Sequence, residues 1–144
     1  MKNNLVALAI LLMAGLLFAP GDPFIGNMFH KADCMYSPYF SGLFSNGMAY
    51  SNTQDTWAAF MTIRSDLQSE YSAMQGCEDT GCVVSHYSRY MGYMHQAQAL
   101  FMMSAFDGIQ SDTPPGVTWY MVLMDWASMD QNLQGCLSGQ QNNN

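Results

Sequence analysis

The sequence predicts an all-α fold: a small bundle of three helices, or four if the turns before residue 53 add one, cross-linked by two disulfides. Three stretches after residue 52 repeat apolar residues every three or four positions, which is the spacing of an amphipathic helix. No stretch alternates apolar and polar residues as a half-buried strand does. The 144-residue chain also has four cysteines, an even number that suits a disulfide framework.

Residues 1–21 are typical of a secretory signal peptide. Lys2 gives a basic start, residues 5–18 are almost all apolar, and residues 19–21 are the small residues of a cleavage site. We therefore expect a secreted or periplasmic protein. The alternative is that the segment is retained as a membrane anchor, which would hold the protein on the extracytoplasmic face. Its apolar run is shorter than the about 20 residues that span a bilayer.

Net charge excludes nucleic acid as a partner. Without residues 1–21 the chain has three basic side chains, Lys31, Arg64 and Arg89, against eleven acidic ones, which gives a net charge of −8. Phosphate binding needs a basic surface that three scattered cations do not supply. The same deficit argues against an anionic membrane surface, so we expect membrane contact only if the N-terminal segment is retained.

Composition divides the remaining chain into three parts. Residues 22–52 are rich in aromatic residues but interrupted by Gly, Pro and Asn, so we predict an irregular segment with short helical turns that packs on the bundle. Residues 53–137 contain the helical stretches and form the bundle itself. Residues 138–144 are polar without a period and are predicted to be a flexible tail.

The first long helix begins at a capping-box pattern and ends near Gly76. Ser51 is the predicted N-cap, and Gln54 stands three positions later. A glycine at the end of the apolar pattern is a common helix stop. The predicted buried face consists of Trp57, Phe60, Leu67, Tyr71 and Met74.

The second helix is predicted from about residue 81 to 107 and the third from 117 or 118 to 133, with Gly135 ending it. The second has two apolar stripes, so we expect it to be central. Its main seam consists of Val83, Tyr87, Tyr90, Met94, Ala97 and Phe101, and its second stripe of Met91, His95, Gln98, Met102 and Phe106. The third is predicted to bury Trp119, Val122, Leu123, Trp126, Met129 and Leu133.

The four cysteines are predicted to form structural disulfides, because exported thiols usually oxidise. An up-down-up bundle would bring Cys77, Cys82 and Cys136 to one pole, and Cys34 would reach that pole from the N-terminal segment. Three pairings are possible. Among them we favour Cys77 with Cys82 and Cys34 with Cys136.

Two metal sites are the alternatives to purely structural roles for the cysteines and for the methionines of the second helix. Cys82 and His86 stand four apart and could face Cys77 and Cys136 as ligands for zinc or copper, although an oxidising compartment competes for the sulfurs. A copper site could use thioether and imidazole ligands. Its candidate ligands are Met91, Met94, His95 and Met102. Packing in a helical core is the favoured explanation of these methionines.

The sequence contains no recognisable catalytic motif, so we do not expect an enzyme or a cofactor. The first functional hypothesis is an exported helical protein that acts by binding. It would be an accessory or structural subunit, with a protein partner or with copies of itself, or a carrier of a small apolar ligand. The second is a periplasmic or extracellular copper-binding protein. The third is a membrane-anchored subunit of a membrane complex or filament.

Overall fold

The computed structural model describes residues 23–112 and 114–139. Within these residues the chain is all-helical and has no strand, which confirms the predicted fold class. The helices are α1 (Pro23–Cys34), α2 (Ser41–Tyr50), α3 (Gln54–Gln75), α4 (Thr80–Ser111) and α5 (Trp119–Gly139), and a π-helical segment (Met35–Phe40) joins α1 to α2. The predicted signal peptide and residues 140–144 of the predicted tail lie outside the described residues.

The N-terminal segment is helical rather than irregular, so the prediction for residues 22–52 is wrong in this respect. Pro23 opens α1 at a position where its missing N–H costs nothing. The backbone leaves helical geometry within the π-helical segment at Ser37, because the following Pro38 disfavours that geometry for the residue before it. Burial of Ala32 and Leu43 in the main core stabilises the surrounding turns, and the segment packs on the bundle as predicted.

The first long helix, α3, begins at Gln54 and is capped by Thr53, not by Ser51. The Thr53 hydroxyl accepts a hydrogen bond from the Thr56 N–H at 3.1 Å, which caps the first turn. Ser51 instead donates to the Asp107 carboxylate on α4 at 2.8 Å. The capping-box pattern therefore located the helix start to within two residues but assigned the cap to a side chain that has a tertiary partner.

The predicted buried face of α3 is confirmed at Phe60, Leu67 and Met74. Trp57 is an exception, because 43% of it is exposed. It lies in the first turn of α3, next to a cleft that Met48 and Asn52 also line. The helical period correctly predicts which side of α3 faces inward. It does not show that this side is left partly uncovered at Trp57, in the first turn.

The long helix α4 is central, as predicted, and packs against every other helix. Asp79 caps its start by accepting from the Cys82 N–H at 2.8 Å. Its main seam is buried apart from Tyr87, which is partly buried. The hydroxyl of the fully buried Tyr90 donates to the Ala32 carbonyl of α1 at 2.7 Å. The second stripe is not covered in the same way, because His95, Met102 and Phe106 are exposed. The central position of α4 therefore depends on its main seam, and the second stripe is partly open to solvent.

The last helix, α5, passes the predicted stop at Gly135 and continues to Gly139. A glycine inside a helix costs only about 1 kcal/mol, and the Cys136 disulfide lies just beyond it. Val122, Met129 and Leu133 are buried as predicted.

Trp119 and Leu123 were predicted to be buried in α5, but both are exposed. The helix leans on α1 and the π-helical segment and has few contacts with α4. The side of α5 that carries Trp119 and Leu123 consequently has no neighbouring helix among the described residues.

The disulfides join Cys34 to Cys136 and Cys77 to Cys82, which confirms the favoured pairing. The first links residues 102 apart in sequence and buries Cys34 completely. The second links residues only 5 apart, between the end of α3 and the first turn of α4. Both cysteines of this pair are partly exposed. The Cys34–Cys136 bridge therefore restricts the unfolded chain much more than the Cys77–Cys82 bridge, because it closes a far longer loop.

Replacing both Cys34 and Cys136 with serine should lower the free energy of unfolding by about 5 kcal/mol, because the bridge closes a loop of roughly 100 residues. The Cys77→Ser/Cys82→Ser variant should lose only about 2 kcal/mol, because its loop is short. Urea unfolding followed by far-UV circular dichroism measures both values. Equal losses would contradict this ranking.

Gly108→Ala should destabilise the protein by about 1–3 kcal/mol, because overpacking forces a backbone shift. A Cβ at Gly108 would lie 2.4 Å from the Tyr50 carbonyl oxygen. Gly92→Ala is the matched control on the same helix, since a Cβ there meets no atom within 4 Å. It should stabilise α4 by up to about 1 kcal/mol. Thermal unfolding of the two variants should shift in opposite directions.

Candidate functional site

Large apolar side chains are exposed on the outer side of α5. Trp119 and Leu123 are four residues apart, as are Tyr120 and Met124. These two pairs form adjacent columns on one side of the helix. Leu123 is 65% exposed and Tyr120 73%. The buried residues of α5 lie on the opposite side. We call these four residues the outer row of α5.

A second exposed row follows the last turns of α4. Met102, Met103 and Phe106 share one side of the helix, and Met103 is 67% exposed. Phe101 and Ala105, on the other side, are fully buried. We call Met102, Met103 and Phe106 the outer row of α4. Residues 112–118 connect the C-terminal end of α4 to the N-terminal end of α5, so the two rows stand on either side of this connection in the chain.

Neither outer row includes a charged side chain, and the acids that directly follow them in sequence, Asp107 and Asp125, accept hydrogen bonds from residues at the end of α2. Ser51 donates to Asp107 on α4, and the Tyr50 hydroxyl donates to Asp125 on α5. Burial and the hydrogen bond to Asp125 raise the pKa of Tyr50 well above its usual value, which keeps the hydroxyl protonated as the donor. These bonds direct both carboxylates toward the end of α2.

Cys77, Cys82 and His86 converge at the end of the molecule where α3 meets α4. Their sulfur and imidazole atoms all lie within 4.8 Å of one another. The His86 Nδ1 is 2.5 Å from the Glu70 carboxylate, and Arg89 approaches the other oxygen of Glu70 at 4.0 Å. Cys136, which the alternative metal site would also use, is not part of this cluster, because it is bonded to Cys34 as the favoured pairing predicts. In the disulfide form the two sulfurs are bonded to each other and are not thiolate ligands.

The four candidate copper ligands are spread along and around α4. Met94 is fully buried in the core, whereas His95 and Met102 are exposed. Met91 and Met102 are eleven residues apart, or roughly 16 Å along a helix axis. A single ion cannot contact all four side chains over that distance. Met91 and His95, one turn apart, are the pair that remains adjacent.

Three tyrosines line a cleft that sequence reasoning did not identify. Its volume is about 670 Å³, and its walls include Tyr36, Tyr71 and Tyr90 together with Asp33 and Gln68. The Tyr36 hydroxyl accepts from Gln68 at 2.9 Å, and Arg64 also donates to it. Helical spacing indicated that Tyr71 and Tyr90 face inward. The cleft itself arises only where α1, the π-helical segment, α3 and α4 pack together, and local spacing does not show that packing.

A second cleft of about 650 Å³ lies between α2, the start of α3 and the end of α4. Its walls include the polar side chains of Ser51, Asn52 and Asp107 and also apolar surface, to which Met48 and Ala49 contribute. Neither cleft is lined by a residue of α5. An apolar ligand carried between α4 and α5 would need a different site.

No protein-family profile matches the chain, and no curated protein or solved structure resembles it significantly. Among residues 23–112 and 114–139, no helix is both long enough and apolar enough to cross a membrane.

Stability should decrease as the pH rises from 10 to 12. Burial, and then the hydrogen bond and charge of Asp33, raise the pKa of Tyr71 to about 12. A tyrosine ionises near pH 10 in the unfolded chain, so its contribution is complete below pH 10 and is lost as the pH approaches 12. Urea unfolding midpoints measured across this range should decline less steeply for Tyr71→Phe than for wild type. Identical slopes would show that Tyr71 does not contribute.

Proposed function

We propose that this chain is an exported, non-catalytic subunit that associates with copies of itself through the outer rows of α4 and α5. The observation that carries the proposal is that α5 has two apolar faces, of which only one packs on the rest of the described chain. Monomeric soluble proteins rarely leave several large apolar residues side by side on one helix face, and such faces commonly mark interaction surfaces.

The exposed area supports a stable contact. The seven side chains are 40% to 73% exposed. With about 200 Å² for each fully exposed large side chain, the two rows together expose roughly 800 Å². A protein interface of standard size buries about 800 Å² on each partner. Aromatic residues and methionine, which are enriched in interface cores, make up six of the seven side chains in the rows.

Charge supports a second copy as the occupant. Two copies that each have a net charge of −8 repel one another wherever their acidic surfaces meet. The outer rows have no charged side chain, and α5 contains no lysine or arginine that would attract an acidic partner of another kind. A contact made by the outer rows of both copies would therefore bring together uncharged side chains and reduce the charge repulsion between the two acidic proteins.

The other parts of the proposal rest on separate observations. The two disulfides support the proposal that the protein is exported, because such bonds form and persist in oxidising compartments outside the cytoplasm. The sulfurs of Cys77 and Cys82 beside His86 and Glu70 are bonded to each other and are not free nucleophiles, and this supports a non-catalytic role. If residues 1–21 are retained, the same rows would join subunits of a membrane-anchored assembly.

Sedimentation velocity of the native, disulfide-intact protein tests the proposal. The wild type should shift from monomer to oligomer as its concentration rises. The Leu123→Glu/Met124→Glu variant should associate at least about tenfold more weakly, because it would place unpaired carboxylates in an apolar contact.

The matched control is Gln131→Glu/Gln134→Glu, which adds the same two charges at exposed positions further along α5. It should change the association constant by less than about twofold at physiological salt, because the added charges lie outside the contact. A wild type that stays monomeric at every concentration, or equal effects of the two variants, would refute self-association through the rows.

A further inference from the structure

We propose that the Cys77–Cys82 disulfide masks a metal site: once reduced, the protein binds one Zn²⁺ ion through Cys77, Cys82 and His86, with Glu70 as the positioning residue. This inference is independent of self-association, because it uses none of the residues in the outer rows. It explains why a histidine bound to a carboxylate stands beside a short-loop disulfide.

The three ligand side chains are already gathered. Their ligand atoms lie within 4.8 Å of one another, a spacing compatible with ligands about 2.0–2.3 Å from a shared ion. Cys82 and His86 are one turn apart on α4, so both project toward the end of α3, where Cys77 lies. Three protein ligands leave the fourth position of a tetrahedral zinc ion to water or to an external ligand.

Glu70 provides the outer contact that zinc-binding histidines normally have. Its carboxylate lies 2.5 Å from the His86 Nδ1 and is largely buried. A carboxylate that accepts the Nδ1 proton leaves the Nε2 lone pair for the metal and fixes the orientation of the ring. Arg89 approaches the other Glu70 oxygen at 4.0 Å, on the side away from the histidine contact.

The structure favours reduction of this bridge before the other. Both cysteines of this bridge, Cys77 and Cys82, are partly exposed, whereas in the other bridge only Cys136 is partly exposed and Cys34 is completely buried. A dithiol reductant attacks one sulfur of the pair, forms a mixed disulfide and then closes to its own cyclic disulfide. Two electrons and two protons pass to the protein, which gains the Cys77 and Cys82 thiols. Zinc binding then releases these two protons to solvent as the thiolates coordinate.

Brief treatment with dithiothreitol, followed by alkylation and mass spectrometry, tests the first step. Two thiols per chain should be modified, at Cys77 and Cys82, while the helical circular dichroism signal is retained. Modification of all four cysteines together would overturn the proposal, because it would mean that the bridge is not separately reducible.

Titration with Co²⁺, a coloured substitute for Zn²⁺, tests the second step. The reduced protein should bind one Co²⁺ with a thiolate-to-cobalt charge-transfer band that Zn²⁺ displaces, and the disulfide form should not. His86→Ala should weaken binding at least about tenfold. Glu70→Gln, which keeps the size of the side chain and removes its charge, should weaken it by about tenfold or more.

The control His95→Ala replaces an exposed histidine on the same helix and should bind as the wild type does. The Cys77→Ser/Cys82→Ser variant should stay folded, because the Cys34–Cys136 bridge remains, and should not develop the charge-transfer band. The proposal fails if reduced wild type gives no such band, or if His86→Ala binds as tightly as His95→Ala.

Discussion

The arrangement of the molecule depends on the bond between Cys34 and Cys136. It joins the end of α1 to the C-terminal part of α5, across 102 residues of sequence. Because this bond and the packing of Leu133 and Met129 hold α5 against the N-terminal helices, α5 does not lie along α4. One consequence is the exposed outer row of α5, which a closely packed three-helix bundle would have buried. The same bond therefore stabilises the fold and determines which apolar surface remains available.

The end of α2 is the second point at which several helices are fixed. Tyr50 donates to Asp125 on α5, and Ser51 donates to Asp107 on α4. The Tyr50 backbone also contacts Gly108, where α4 has no side chain to obstruct it. Two adjacent residues thus connect both long C-terminal helices and draw their acids away from the outer rows. The two acids that follow the outer rows in sequence, Asp107 and Asp125, are thus each held by a hydrogen bond to the end of α2.

The two proposed functional regions lie toward opposite ends of α4. Cys82 and His86 are in its first turns, and the outer row begins at Met102, twenty residues or roughly 30 Å further along the helix from Cys82. This separation makes redox-controlled metal binding compatible with self-association, since neither region occupies the surface of the other. Between them, the buried seam around Tyr90 and Met94 provides the rigid support that both require.

The sequence by itself determined the helical class, three long helices and the main seam of α4, because these follow from local periodicity and short connections. It left three disulfide pairings possible, and the favoured one was established by the tertiary structure. It could not show that the glycine-rich segment is helical, since that depends on burial against α4. It also assigned Trp119 and Leu123 to the core, because an apolar stripe has the same period whether or not another helix covers it. Only the tertiary structure decided this, through the position that the Cys34–Cys136 bond gives to α5. The pairing of Glu70 with His86, sixteen residues apart on different helices, likewise required the packing of α3 on α4.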